Sequence, residues 1–261
     1  DYAEYVKFAD TWLPAKAGTD AALAMAMTHV VFKEFYIDRQ VEYFIDYAKT
    51  YTDLPFLVVL NEKDGRYTPG RFLRASDLEL ETENNPEWKT LVWDAAGGGL
   101  TVPNGSIGFR WGEAGRWNLK LDSSSGNGSI DPMLSLSDNP DDWITAASPL
   151  FEFAGNRIKT GTVPVKRITT EHGTLLTATV FDLMAANLGV RRETDPAPTP
   201  DYPAGYEDLK PYTPAWQEKI TGVPAEDAVR VAREFAENAE KTHGKSMIFL
   251  GAGTNHWRSE E

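Results

Sequence analysis

Gly18-Thr19-Asp20 stands directly ahead of Ala21-Ala22-Leu23-Ala24-Met25-Ala26-Met27, a run of strong helix formers. The order is apolar approach, glycine turn, N-cap position, helix. Thr19 or Asp20 can cap the helix by accepting a bond from a free backbone N–H of its first turn. The helix start then offers spare donors and the positive end of its dipole. Such a terminus can hold a phosphate, and an aspartate placed on it can accept from the donor edge of a guanine. Judged alone, the pattern first of all describes a plain capped helix. A second glycine turn, Gly251-Ala252-Gly253-Thr254-Asn255-His256, follows the apolar run Ser246-Met247-Ile248-Phe249-Leu250. Gly251 and Gly253 permit close backbone approach, and Asn255 and His256 add directional hydrogen bonds. A turn at the carboxyl end of a buried strand is where open α/β sheets bind ligands, although a tight strand-to-helix turn has the same pattern.

The elements that must carry these turns read as follows. Residues 2 to 12 suggest a short helix or turn leading to a strand. Ala22, Met25, Ala26, His29 and Val30 keep close to a 3.6 period and predict a helix over 19–35. Val41, Phe44, Ile45 and Ala48 share one face of a second helix over 38–51. Phe56-Leu57-Val58-Val59-Leu60 is the longest apolar run and suits a buried strand. From 61 to 165 the chain is broken by Asp64-Gly65, Gly97-Gly98-Gly99, Pro103-Asn104-Gly105 and a serine–glycine stretch over 123–129, which predicts short strands, hairpins and irregular loops. Residues 179–188 return to helical character, and 191–211, rich in Pro, Asp and Tyr, read as a linker. Thr213 and Pro214 start a helix that Thr221-Gly222 ends. The longest helix runs over about 225–240, with Val229, Val231, Ala232 and Phe235 as its apolar face and His243-Gly244 closing it. A strand follows over 246–250. The organisation expected is an α/β segment over 1–60, a β-rich irregular insertion over 61–173, and a second α/β segment over 174–261.

Composition narrows the chemistry. The 261 residues carry 39 acidic against 26 basic side chains, a net charge of −13, which disfavours nucleic acid and anionic lipid. Cysteine is absent, so disulfides, thiolate zinc sites and cysteine-held iron–sulfur clusters are excluded within this stretch. Four scattered histidines form no metal-binding pair. No apolar run approaches the roughly 20 residues that span a bilayer, and no signal peptide stands out. His29 reads as a structural histidine. Glu34, Asp38, Asp46, Glu226, Asp227, Glu234 and Glu237 read as solvated helix faces. Trp12, Trp111 and Trp216 read as packing residues, and Arg110 with Arg116 is too little to constitute an anion site. The first residue is not Met and the last strand signal runs into a glycine turn with little chain after it, the pattern expected of an interior piece of a longer protein.

The wider segment Asp10-x-Trp12-Leu13-Pro14-x-x-x-Gly18-Thr19-Asp20-Ala21-Ala22-Leu23-Ala24 resembles the guanosine-binding stretch of the molybdopterin oxidoreductases, the family of dimethyl sulfoxide reductase and formate dehydrogenase. Many members have Pro directly before the Gly; Ala17 stands here, as in the respiratory nitrate reductase alpha subunits. Further stretches resemble those subunits in the same order: Asn84–Thr90, Pro103–Glu113, Tyr212–Trp216, Ala232–Ala236 and Gly251–Trp257. Residues 114–160 match least.

The resemblance implies an α/β fold of the dimethyl sulfoxide reductase type, present in part. It implies a molybdenum bis(molybdopterin guanine dinucleotide) cofactor and reduction of nitrate to nitrite. Asp20, with Gly18 and Thr19, would bind the guanine. Ala252, Gly253, Asn255 and His256 would lie along the dinucleotide by the pterin, and Asp1 and Tyr2 would touch the nucleotide. In the family the molybdenum-ligating aspartate lies before residue 1 and a 4Fe-4S cluster further upstream, so no catalytic residue falls in this stretch. The isolated chain should then be inactive. The partners implied are nitrate, an iron–sulfur beta subunit and a haem-bearing membrane subunit, with no nucleic acid. Localisation follows from them: membrane-associated, on the cytoplasmic face in most bacterial relatives and facing outward in some archaeal ones. A selenate, chlorate or perchlorate reductase of the same family is an alternative. A non-enzymatic nucleotide-binding module is another, and it predicts no molybdenum requirement.

Overall fold

The helix α1 (Asp20–Val31) forms where alanine and methionine dominate, and a π-helical stretch carries it on through Phe32–Asp38. The buried face is Ala22, Ala26, His29 and Val30, with Met25 half-buried, as the 3.6 period requires. The computed structural model describes residues 4–78, 80, 86–104, 120–123, 128–150, 157–196 and 199–249. A single 3-10 turn, Glu4–Lys7, precedes α1, and no strand forms between it and the helix. Thr11 there receives a bond from Arg230 at 3.3 Å, a side-chain tie rather than a sheet partner. The second helix, α2 (Glu42–Tyr51), buries Val41 at its cap and Ala48, with Phe44 and Ile45 half-buried.

Leu57-Val58-Val59-Leu60 opens β1 (Leu57–Lys63) as a fully buried stretch, and the polar Asn61-Glu62-Lys63 leaves the core. After β1 come β2 (Arg66–Phe72), β3 (Val92–Asp94), β4 (Gly99–Thr101), β5 (Pro103–Asn104), β6 (Lys120–Ser123), β7 (Asp142–Pro149), β8 (Ile158–Thr170) and β9 (Gly173–Thr179). Strands β1, β2, β7, β8 and β9 close into a barrel in that order. All its pairings are antiparallel except β2 with β7, which meet through Tyr67 and Ala146. Strands β3–β4 and β5–β6 form separate two-stranded sheets. Helix and strand are thus mixed, as an α/β chain requires, with β1 closing the barrel together with β7–β9.

The helix α3 (Val180–Leu188) starts where the Thr179 hydroxyl accepts from the Asp182 N–H at 3.0 Å. It ends at Gly189, whose φ of 73° only glycine adopts at low cost. α3 lies so close on β8 that a Cβ at Gly161 would stand 2.6 Å from the Ala186 Cβ and 2.7 Å from its carbonyl oxygen. A core of Phe32, Phe181, Ala185, Leu188, Val190 and Tyr212 joins the helices to this layer, and Leu60, Val163, Val165 and Ala178 pack in a neighbouring cluster.

Residues 191–211 form no regular element among those described, yet they hold to the barrel. On β8, β9 pairs with Lys166–Thr170, and no described strand lies along that edge of the earlier half. The loop meets that edge with side chains. Asp201 accepts from the Thr160 N–H and hydroxyl at 2.7 Å each, Thr199 donates to the Thr160 carbonyl at 2.9 Å, and the Tyr202 hydroxyl accepts from the Thr162 N–H at 3.2 Å.

The helix α4 (Pro214–Thr221) has its N-cap at Thr213, which accepts from the Trp216 N–H at 3.1 Å, Pro214 in its first turn, and Gly222 at φ 79° to end it. The last helix, α5 (Ala225–Thr242), packs against α1 and α4 and closes at His243, φ 52°. Its buried stripe is Ala228, Ala232, Ala236 and Ala239, not the larger Val229, Val231 and Phe235, which are half-buried. Small side chains let helix backbones approach closely, and α1, on which α5 packs, has Ala22 and Ala26 on its own buried face. The strand expected over 246–250 does not form over 246–249, and Leu250 lies outside the described residues. Met247, Ile248 and Phe249 are 80%, 68% and 84% exposed. A strand exists only when its N–H and C=O groups find a neighbour, and no described strand lies alongside.

Candidate functional site

The Gly18-Thr19-Asp20 turn is built by backbone bonds. The Lys16 carbonyl accepts from the Thr19 N–H at 3.1 Å, which closes a turn with Ala17 and Gly18 at its centre. Gly18 has φ 74°, the left-handed value that the third position of a type II turn demands. The Lys16 N–H donates to the Thr221 carbonyl at the end of α4 at 3.0 Å, and this anchors the turn to the helix layer.

Thr19 takes the N-cap position but does not cap the helix with its side chain. Its φ of −122° and ψ of 9° depart from the extended geometry that aims a cap hydroxyl at the helix. The hydroxyl instead donates back to the Lys16 carbonyl at 2.6 Å. Asp20 supplies no cap either; its carboxylate is exposed and engages no other described residue. The result is a helix start whose positive end no capping side chain covers, with one free carboxylate beside it. A carboxylate placed here could accept from the donor edge of a base such as guanine, and the left-handed glycine would permit close approach.

Of the other residues expected at the site, Asp1, Tyr2, Ala252, Gly253, Asn255 and His256 lie outside the described residues, as do Trp111, Arg110 and Arg116. The structure therefore brings together Gly18, Thr19 and Asp20. Trp12, expected in the packing, is 47% exposed. Among the described residues no group of three or more His, Asp or Glu could hold a metal ion, and no helix is long and apolar enough to cross a membrane.

His29 is structural. It is 2% exposed, and its Nδ1 lies 2.9 Å from the Leu188 carbonyl, which makes Nδ1–H the donor. Burial pushes its pKa down from 6.5 to about 4. Glu34 is not the solvated side chain its helical spacing suggests. It accepts from the Tyr206 hydroxyl at 2.8 Å and from Arg233 Nη2 and Nε at 2.7 and 2.8 Å, joining α5 and the 191–211 loop to the end of α1. The Arg233 bonds hold its carboxyl below the usual range. Arg233 also lines an open groove of about 410 Å³ along α5, where its neighbour Arg230 is paired with Asp227 and Glu234. Asp227 and Glu234 are therefore paired as well as solvent-facing.

The fold also buries charge around Asp182 and Arg192 and at Lys159. Asp182, fully buried, accepts from the Leu136 N–H at 2.9 Å, the Ser135 hydroxyl at 2.7 Å and the Arg192 guanidinium. Arg192 also bonds Asp195 at 2.9 Å. Lys159, 3% exposed, sits over the Tyr212 ring at 4.8 Å, and burial lowers its pKa to about 8. The one available signal was Thr179 three residues before Asp182, a cap pattern that places Asp182 in a first turn but says nothing of Arg192.

The Molybdopterin oxidoreductase family profile matches residues 1–261. The chain is 47% identical to the Respiratory nitrate reductase 1 alpha chain of Escherichia coli (strain K12), over 98% of this chain and 21% of that one. It is 44% identical to the Nitrate reductase alpha chain of Bacillus subtilis (strain 168), over 98% of this chain and 20% of that one. Against the Perchlorate reductase subunit alpha of Dechloromonas aromatica (strain RCB) identity falls to 27%, over 95% of this chain and 20% of that one. The chain thus spans about a fifth of the length of these curated relatives. On the match along its whole length, this chain belongs to the molybdopterin oxidoreductase family.

Proposed function

We propose that this chain is part of the catalytic subunit of a respiratory nitrate reductase and forms part of the cradle of its molybdenum bis(molybdopterin guanine dinucleotide) cofactor. The observation that carries the reading is the free Asp20 carboxylate beside an uncapped helix start, behind the left-handed Gly18, in a chain 47% identical to a nitrate reductase alpha chain. The greater identity to nitrate than to perchlorate reductase chains favours nitrate over related oxyanions. The reading includes a dimethyl sulfoxide reductase-type fold with residues 61–173 as an insertion.

When bound, the cofactor supplies the two-electron redox chemistry by which nitrate, with two protons, becomes nitrite and water. The residues of this chain bind and orient it. Asp20 would accept from the donor edge of guanine, and the Gly18 turn would let the nucleoside lie against backbone. Ala252, Gly253, Asn255 and His256 would take the pterin side, and Asp1 and Tyr2 would touch the nucleotide. A 4Fe-4S cluster elsewhere in the subunit, an iron–sulfur beta subunit and a haem-bearing membrane subunit would deliver electrons and hold the enzyme at the membrane.

The test is the molybdenum and guanine content of the full-length protein, with nitrate reduction by an artificial donor, for the parent and for Asp20→Ala. Molybdenum and guanine in the parent, reduced in the variant, are expected. A well-folded parent without molybdenum would overturn the reading.

A further inference from the structure

The turn that presents Asp20 closes on itself and is also tied to a second helix. Its first residue, Lys16, hangs by its N–H on the Thr221 carbonyl at 3.0 Å, and Thr221 is the last residue of α4. That carbonyl is one of the four that a helix end leaves without an intrahelical donor, so its direction is set by whatever fixes the helix terminus.

What fixes it is a closed ring of side-chain bonds with no exposed member. The Thr221 hydroxyl donates to the Gln217 Oε1 at 2.7 Å and accepts from the Val223 N–H at 2.9 Å. The Gln217 Nε2 donates to the Val223 carbonyl at 2.9 Å. Gln217, Thr221 and Val223 are each 0% exposed. Burying an amide and a hydroxyl is costly when they lack partners, and here each finds one in the other and in the chain just beyond the helix. An apolar pair at these helix positions would pack at lower cost but would not define the direction of the Thr221 carbonyl. The polar ring does: it holds residues 221–223 in one conformation, with the carbonyl aimed at the turn.

We infer that Gln217 and Thr221 are positioning residues for the guanosine turn, acting through the Thr221 carbonyl and the Lys16 N–H on Asp20. The inference rests on the guanosine reading of Asp20 given above. Neither residue touches the nucleotide. Loosening them frees the Lys16–Thr19 turn and lets Asp20 sample positions that do not hold a base.

The experiment compares Thr221→Val, which keeps the shape and removes the hydroxyl, with Thr221→Ser, which keeps the hydroxyl, in the full-length holoenzyme. Guanosine monophosphate released by acid hydrolysis and molybdenum are measured per folded subunit over time after dilution, and amide hydrogen exchange is read at Lys16 and Thr19. Thr221→Val is expected to lose cofactor about tenfold faster and to exchange the Lys16 amide about tenfold faster, the effect of weakening the single Lys16–Thr221 backbone bond. Thr221→Ser is expected to match the parent. A role limited to stability would lower the melting temperature of Thr221→Val while cofactor retention and Lys16 exchange stayed at parental values, and that result overturns the inference. Asp20→Ala separates the two layers. If it keeps guanosine as well as the parent does, the guanosine reading itself fails. If it loses guanosine while Thr221→Val does not, the positioning role alone fails. Should Thr221→Val not fold, Gln217→Met removes the other half of the ring at similar volume and is judged by the same two readouts.

Discussion

Acid should loosen α1 through one side chain. His29 is neutral in the fold down to about pH 4, because burial withdraws water from a charged ring, whereas an unfolded chain protonates it near 6.5. Between those values the opened state binds more protons than the closed one, so stability is complete above 6.5 and falls as the pH drops toward 4. At about 1.4 kcal/mol per pH unit, the gap between 6.5 and about 4 amounts to about 3 kcal/mol, or roughly two orders of magnitude in the opening constant. Lys159 and Lys33 add to the penalty on a charged ring, and the Leu188 carbonyl opposes it. The assay is amide hydrogen exchange at Val30 and its α1 neighbours from pH 7 to 4, corrected for the intrinsic exchange rate. His29→Gln is the control: it can still donate to the Leu188 carbonyl but does not titrate, so its opening constant should stay nearly flat. If the parent and His29→Gln showed the same pH dependence, the burial argument would be refuted.

Two further outcomes follow from the buried charges. Arg192→Met strands the Asp182 carboxylate without its cation, so urea unfolding should show a loss of about 3–5 kcal/mol, part of which returns when Asp182→Asn is added. Lys159, lowered from 10.5 to about 8, loses its proton earlier in the fold than in the unfolded chain. Stability should therefore rise between pH 8 and 10.5 in the parent relative to Lys159→Met; melting temperatures that track each other across that range would contradict this.

Local chemistry carried much of the fold into view. Thr213-Pro214 and Gly222 mark the ends of α4, His243 marks the end of α5, and the apolar run 56–60 marks β1, because caps and burial patterns act within a few residues. Barrel closure was hidden for the opposite reason: β1 meets β9 across more than a hundred residues of chain, and nothing in either strand names its partner. The α5 stripe was misjudged because alanine ranks low in hydrophobicity yet permits the closest helix contact. For the site, the glycine turn was legible from Gly18 and Asp20. The reversal of the Thr19 hydroxyl toward Lys16 was not, since it depends on a ψ angle that a threonine does not dictate. The partnership of Asp182 and Arg192 likewise belongs to the tertiary fold, and so does the ring at the end of α4.

The 191–211 loop has a consequence for association. Half an edge of β8 has no described strand beside it, and an open edge is a template on which another chain can add. The loop occupies that template with the side chains of Thr199, Asp201 and Tyr202, and Pro196, Pro200 and Pro203 deprive its own backbone of donors. It is a surrogate neighbour that meets part of the edge with side chains instead of a row of backbone donors, the arrangement that discourages a further strand from adding there.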